Sequence, residues 1–210
     1  MLEIGIGNCV NLDFYPPSTR LTGLDANLDT ALIKSHAKSW AKTGSNDEKD
    51  VQLSVLYEGS AENLRDFFPE NSFDVVVSTF VLCSVVSPEA VLREIRRVLK
   101  PGGQFICLEH VLAHNENIIS DSSASGKAGD ISGWRIEEEE RPSFHGFDLR
   151  SQQLLLNPLQ QLVANNCHLD RRTDLLLLES KEFRNVLKFQ ELNFHAQWPI
   201  NSQFAAVIAV

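Results

Sequence analysis

A chain of 210 residues, 43% hydrophobic and 22% charged, has the size and composition of one globular domain with a core of its own. Its net charge of −9 argues against a nucleic-acid backbone as main partner, since phosphate binding needs a basic surface, and leaves a small molecule open. Cys9, Cys83, Cys107 and Cys167 are scattered without a C-x-x-C pair, so they read as reduced thiols of an intracellular, cytoplasmic protein, and no metal site is expected.

The first residues are already strand-like and carry an acid at Glu3, so no signal peptide is expected. Leu2 to Ile4 reads as the first strand, and Asn11 to Phe14 as one helical turn stopped by Pro16-Pro17. Arg20 to Leu24 is the second strand. A helix from Asn27 to about Lys42 should follow, with Asn27 as cap and Gly44 as stop. Val51 to Tyr57 and Ser72 to Ser78 are strands three and four; the latter is apolar on successive positions, as when helices cover both faces of a sheet. The longest apolar stretch, Val75 to Val86, is too short to span a bilayer.

Ser87-Pro88-Glu89 is a helix start, with Ser as cap, Pro in the first turn and an acid near the positive end of the dipole. Val91, Leu92, Ile95, Val98 and Leu99 then make one apolar face. Lys100-Pro101-Gly102-Gly103 reads as a stop and turn, and Gln104 to Leu108 as the fifth strand. The polar, acid-rich segment 114–146 is expected to be a flexible insertion. Helices at Leu149 to Val163 and Thr173 to Phe183 and strands at Val186 to Phe194 and Phe204 to Val210 complete the pattern. Alternating strands and helices imply a parallel sheet. The short turn between the last two strands makes them antiparallel. The expected fold is therefore α/β: a doubly wound, mostly parallel, seven-stranded sheet with an antiparallel last strand.

Function is concentrated near the start. The run Leu2-Glu3-Ile4-Gly5-Ile6-Gly7 is a strand entering a Gly-x-Gly turn, and Asp25 closes the second strand. Glycines let the backbone approach a ligand, and an acid in that place accepts hydrogen bonds from a ribose diol.

Four blocks carry a family resemblance: Leu2 to Asn8, Leu24-Asp25-Ala26-Asn27, Phe73 to Ser78, and Leu99-Lys100-Pro101-Gly102-Gly103-Gln104-Phe105. In their order and spacing the chain resembles the class I S-adenosylmethionine-dependent methyltransferases, strongly over residues 1–113 and more loosely over 149–210. Within them it looks most like the methyltransferase-11 type. The segments Phe14-Tyr15-Pro16, Val81 to Val85, Leu108-Glu109-His110-Val111 and Asn166-Cys167-His168-Leu169 resemble the thiol-methylating branch. The resemblance implies S-adenosyl-L-methionine as cofactor and a small-molecule methyl acceptor, thiol favoured, with oxygen, nitrogen or carbon open.

It also implies roles. Gly5 and Gly7 form the turn beneath the cofactor, Asp25 takes the ribose hydroxyls and Ala26 packs on adenine. Glu3 orients the loop or the methionine amine. Ser60, Ala61 and Glu62 line the adenine pocket. Ser78 and Thr79 lie at the end of strand four, where such sheets present ligands. From their place at the end of strand five, His110 is the candidate catalytic base with Glu109 orienting it, against the preferred alternative that the pair simply anchors the loop. The chain departs from the family pattern at Cys9, where a third glycine is usual, and at Ser60, where relatives often have aspartate. It is expected to be a single domain, 1–210, lacking the segment that relatives carry before strand one. Two other readings stay open. A nicotinamide-dependent oxidoreductase shares the Gly-x-Gly and the acid but needs its third glycine where Val10 stands. A non-catalytic cofactor-binding domain is the other.

Overall fold

The computed structural model describes residues 1–29, 31, 51–113, 148–180, 182, 183, 185–193 and 202–210. The helix expected after Asn27 and the insertion at 114–146 lie outside the described residues.

Seven strands form one sheet: β1 (Leu2–Ile4), β2 (Arg20–Asp25), β3 (Gln52–Glu58), β4 (Phe73–Thr79), β5 (Leu99–His110), β6 (Asn185–Asn193) and β7 (Ser202–Ala209), in the order β3-β2-β1-β4-β5-β7-β6. β1 to β5 pair in parallel, and β7 is antiparallel to both of its neighbours. The reversed strand therefore lies inside the sheet, and β6 forms the edge. The strand order changes direction between β1 and β4. In a doubly wound sheet this is where the carboxyl ends of the strands open a crevice for ligands.

β1 is short and buried along its whole length, with Glu3 buried between Leu2 and Ile4. Helix α1 (Pro88–Val98) begins as its sequence signals it should: Ser87 Oγ accepts from the Ala90 amide at 3.2 Å, and Pro88 occupies the first turn. Val91, Leu92, Ile95 and Val98 are buried in the main core with Leu2, Ile4, Val76 and Phe105. Glu94, on the same helix, is also buried. Arg65 and Arg97 both hold its carboxylate at 2.9 Å.

β5 starts earlier than expected. Phe73 pairs with Leu99 and Val75 with Gln104, so Lys100 to Gly103 bulge out of a strand instead of ending one. The backbone of Val210 ties this bulge down, through Gly102 N–H at 2.8 Å and Gly103 C=O at 3.0 Å. Beyond it the strand alternates, placing Phe105, Cys107 and Glu109 on one face and Ile106, Leu108 and His110 on the other.

Helix α2 (Leu149–Val163) turns polar side chains inward. Gln153 accepts from Ala113 N–H and donates to Val111 C=O, and Asn157 accepts from Leu169 N–H. Backbone leaving the β5 edge finds its partners in these amides. Helix α3 (Thr173–Glu179) ends four residues before the Phe183 expected from the sequence. Phe183 leaves the helical path to stack on Phe105, ring centres 5.6 Å apart. Among the described residues no helix is long and apolar enough to cross a membrane.

Candidate functional site

The glycine loop follows β1 and folds onto the end of β2. Gly5 N–H donates to Leu24 C=O at 2.7 Å, and Gly7 N–H donates to Asp25 Oδ2 at 2.9 Å. Asp25 Oδ1 accepts from the Asn27 amide at 2.8 Å. A carboxylate has about four acceptor directions, so Asp25 keeps capacity for a diol.

Both glycines are left-handed, at φ +65° and +50°. A Cβ on Gly5 would stand 2.2 Å from Val81 Cγ2, whereas nothing lies within 4 Å of a Cβ built on Gly7. Gly5 thus seats the loop against the segment after β4, and Gly7 presents bare backbone to open space. Cys9, at the third-glycine position, is also left-handed, at φ +59°. The loop keeps its glycine-type path with a side chain that is buried beside Ile6, Leu12 and Leu21.

A second group spans the crevice between β1 and β4. Glu3 is buried, and Asn11 Nδ2 donates both to its Oε1 at 2.7 Å and to Thr79 Oγ1 at 3.3 Å. Glu3 Oε2 and the Tyr15 hydroxyl are both buried. Burial raises the Glu3 carboxyl above its usual range, and the bonds from Asn11 and Tyr15 reverse part of that. A buried carboxylate here, an acid with spare acceptor capacity at Asp25 and an open glycine between them fit a cofactor that brings an ammonium and two hydroxyls.

The remaining expected residues divide. Gly59 N–H donates to Asp25 C=O at 2.8 Å, which brings the Ser60 segment to the end of β2. Ser60 caps the short 3₁₀ turn Ala61–Asp66 and donates its hydroxyl to Glu62. Glu62 Oε1 accepts from Val86 N–H at 2.7 Å, linking this turn to the start of α1. Ala61 is in the core, and Ala26 is exposed next to Asp25.

Ser78 also stays apart. It alternates with Thr79 along β4, so its hydroxyl points the other way and donates to Glu109 at 2.6 Å. Glu109 is fully buried and accepts from Val81 N–H and Leu82 N–H, both at 3.1 Å. Burial raises its carboxyl, offset in part by these bonds. It shapes the segment after β4 and does not orient His110, because successive strand residues face opposite ways.

His110 Nε2 instead lies 2.9 Å from Cys167 Sγ, and its Nδ1 is buried without a partner among the described residues. Phe80, itself left-handed at φ +56°, stacks on the imidazole with centres 6.3 Å apart. Cys83 completes the group: its sulfur, the Cys167 sulfur and a His110 nitrogen all lie within 4.8 Å of one another. The hydrogen bond between the two cysteines is the main cause that pulls the Cys167 thiol down, to about 4, against burial and with help from His110. The same contact and burial push Cys83 up. No sequence spacing announces this cluster; its members are brought together by the fold.

Fold and glycine loop together define a Rossmann-like methyltransferase. Residues 2–107 match the model of the family described as "Methyltransferase domain", and the chain belongs to that family. Its implied cofactor is S-adenosylmethionine. The chain is 41% identical over 115 residues to the human thiol S-methyltransferase TMT1A, covering 54% of this chain and 43% of that protein. It is 42% identical over 113 residues to human TMT1B, covering 53% and 42%. The chain thus spans less than half the length of these relatives. Among solved structures, a SAM-dependent methyltransferase from Methanosarcina mazei superposes with a TM-score of 0.59 at 16% identity, covering 99% of this chain and 90% of that one. One from Thermotoga maritima, described as a possible histamine N-methyltransferase, gives 0.56 at 19% identity, covering 99% and 80%. These two share the fold.

Proposed function

We propose that this chain is the catalytic domain of an S-adenosylmethionine-dependent methyltransferase acting on a small-molecule thiol. The resemblance to TMT1A and TMT1B, proteins named as thiol S-methyltransferases, carries the choice of acceptor. The cradle of Gly7, Asp25 and Glu3 at the β1–β4 crevice supports the choice of cofactor.

When bound, S-adenosylmethionine supplies a methyl group on a positively charged sulfur, open to in-line displacement. The work of the chain is then positioning and exclusion of water. Asp25 accepts the ribose hydroxyls, Glu3 Oε2 accepts from the ammonium directly or through water, and Asn11 holds Glu3 and Thr79 in register. A thiol acceptor asks little further of the chain, since a few per cent of an ordinary thiol is already the nucleophilic thiolate at neutral pH. In this reading His110, whose Nε2 is engaged by Cys167, is not required as the base.

The test is calorimetric titration with S-adenosylhomocysteine and NADH, followed by a screen of thiols, phenols and amines against labelled methyl donor. Binding of the homocysteine compound with transfer to thiols is expected. Binding of NADH alone would overturn the cofactor assignment, transfer confined to phenols or amines would overturn the acceptor, and binding without any transfer would make the chain a cofactor-binding domain.

A further inference from the structure

The cluster of Cys83, His110 and Cys167 is not needed for any step above, yet it is the most tightly built group of reactive side chains among the described residues. Its members come from three segments: the loop after β4, the last residue of β5, and the connection that follows α2. All three are buried, with exposures of 1%, 1% and 8%.

Hydrogen bonds to backbone carbonyls hold these segments together independently of the sulfurs. His168 N–H donates to Cys83 C=O at 2.9 Å, Asn166 Nδ2 to Ser84 C=O at 3.1 Å, and Arg171 Nη1 to Leu82 C=O at 2.6 Å. The 164–172 connection is thereby clamped onto the loop after β4, and the two thiols are presented to each other across the clamp. His110 closes the third side, its ring fixed by Phe80. Three donor atoms within 4.8 Å of one another match the spread of ligands around a single ion. Two sulfurs and one imidazole nitrogen are a soft set, suited to zinc and unsuited to calcium or magnesium.

We propose that Cys83, His110 and Cys167 are the ligands of a thiophilic divalent cation of the zinc class. The ion takes both sulfurs as thiolates, forms two metal–sulfur bonds and one metal–nitrogen bond, and the protons these groups still carry go to solvent. Three protein ligands leave one position of a tetrahedral ion for water or an outside thiolate. The cluster stands beyond the carboxyl ends of β4 and β5, on the edge of the sheet where Thr79 lies, so a cation there would tie this edge together.

Cobalt(II), a spectroscopic substitute for zinc, tests the proposal without any assay of turnover. The full chain, purified under reductant, is titrated with cobalt(II), then challenged with zinc(II). One equivalent of cobalt is expected to produce a thiolate-to-metal charge-transfer band, which zinc abolishes at the same stoichiometry. The Cys83→Ser/Cys167→Ser double variant, checked for folding by circular dichroism, is expected to lose the band and to bind zinc at least ~100-fold more weakly, since loss even of a supporting outer contact costs about 10–100-fold. His110→Gln is expected to weaken binding while keeping the band. A folded wild-type chain without the charge-transfer band would overturn the proposal, as would a double variant that binds zinc unchanged. The wild-type spectrum decides even if the variants do not fold.

Discussion

The carboxylate of Asp25, at the end of β2, accepts the amide proton of Gly7, in the loop after β1, at 2.9 Å. The acid expected to hold a ribose therefore also holds the loop that must cradle it. One side chain joins cofactor affinity to loop order.

Asp25→Ala is accordingly expected to weaken S-adenosylhomocysteine binding at least tenfold, roughly 1.4 kcal/mol, and to lower the melting temperature of the free protein as well. Asp25→Asn keeps one acceptor oxygen and should fall between the two in both measurements. Calorimetry and a thermal melt of the same preparations check this, and an unchanged affinity in Asp25→Ala would show that the acid is misassigned.

The two loop glycines should separate stability from binding. Gly5→Ala drives a methyl into Val81 at a left-handed position and is expected to destabilise the fold by about 1–3 kcal/mol. Shortening the obstacle with Val81→Ala should recover part of the loss. Gly7→Ala meets open space, so its fold cost is the backbone strain alone, about 1 kcal/mol, while the added methyl occupies the cradle. Its signature is lost S-adenosylhomocysteine affinity with a small change in melting temperature. Denaturant melts set beside titrations distinguish the pair.

Asn11→Ala removes the amide shared by Glu3 and Thr79 and deprives the buried Glu3 carboxylate of one of its donors. A cost of about 1–3 kcal/mol in stability is expected, with weaker cofactor binding. Adding Glu3→Gln should restore part of the stability, because a neutral amide is less costly to bury than an unpaired charge, and should not restore affinity. A double-mutant cycle read in urea measures the coupling.

Glu94 gives the fold an acid-sensitive element. Burial pushes its carboxyl up, but the bonds from Arg97 and Arg65 more than reverse this, so it titrates below the ordinary value of 4.5. A depressed folded-state pKa means stability that is complete above the unfolded value and lost as pH falls through the folded one. Glu94→Gln should therefore be less stable than wild type by about 1–3 kcal/mol at neutral pH, with the difference shrinking as pH drops below 4.5. Paired melts across that range check the sign.

Local signals carried much of this architecture. Strands β1 to β5 and helix α1 are readable because apolar runs, a Ser-Pro cap and a helical stripe each specify their element within a dozen residues. The Gly5, Gly7 and Asp25 cradle is readable for the same reason. What escaped is non-local. The leucines of α2 suggest a buried apolar face, yet Leu155 and Leu162 are exposed and Gln153 is buried, because backbone near the β5 edge needs amide partners more than the core needs hydrocarbon. Asn11 reads only as the start of a helical turn until β4 places Thr79 beside it. Glu94 looks like a solvated charge until the 3₁₀ turn delivers Arg65. Cys83 and Cys167 stand far apart in the sequence, in different halves of the chain, and only tertiary structure makes them neighbours.

The position of β7 between β5 and β6 has a consequence for how the polypeptide assembles. β6 is made before β7 but reaches the sheet only through it, by an antiparallel pairing that runs from Asn185↔Ala209 to Asn193↔Ser202. During synthesis β6 must wait as a lone strand while the five parallel strands collapse without it, and β5 carries an open edge for the same interval. A folding intermediate in which β7 has not yet docked would therefore present an open β5 edge and an unpaired β6, both available to chaperones and to pairing with other chains.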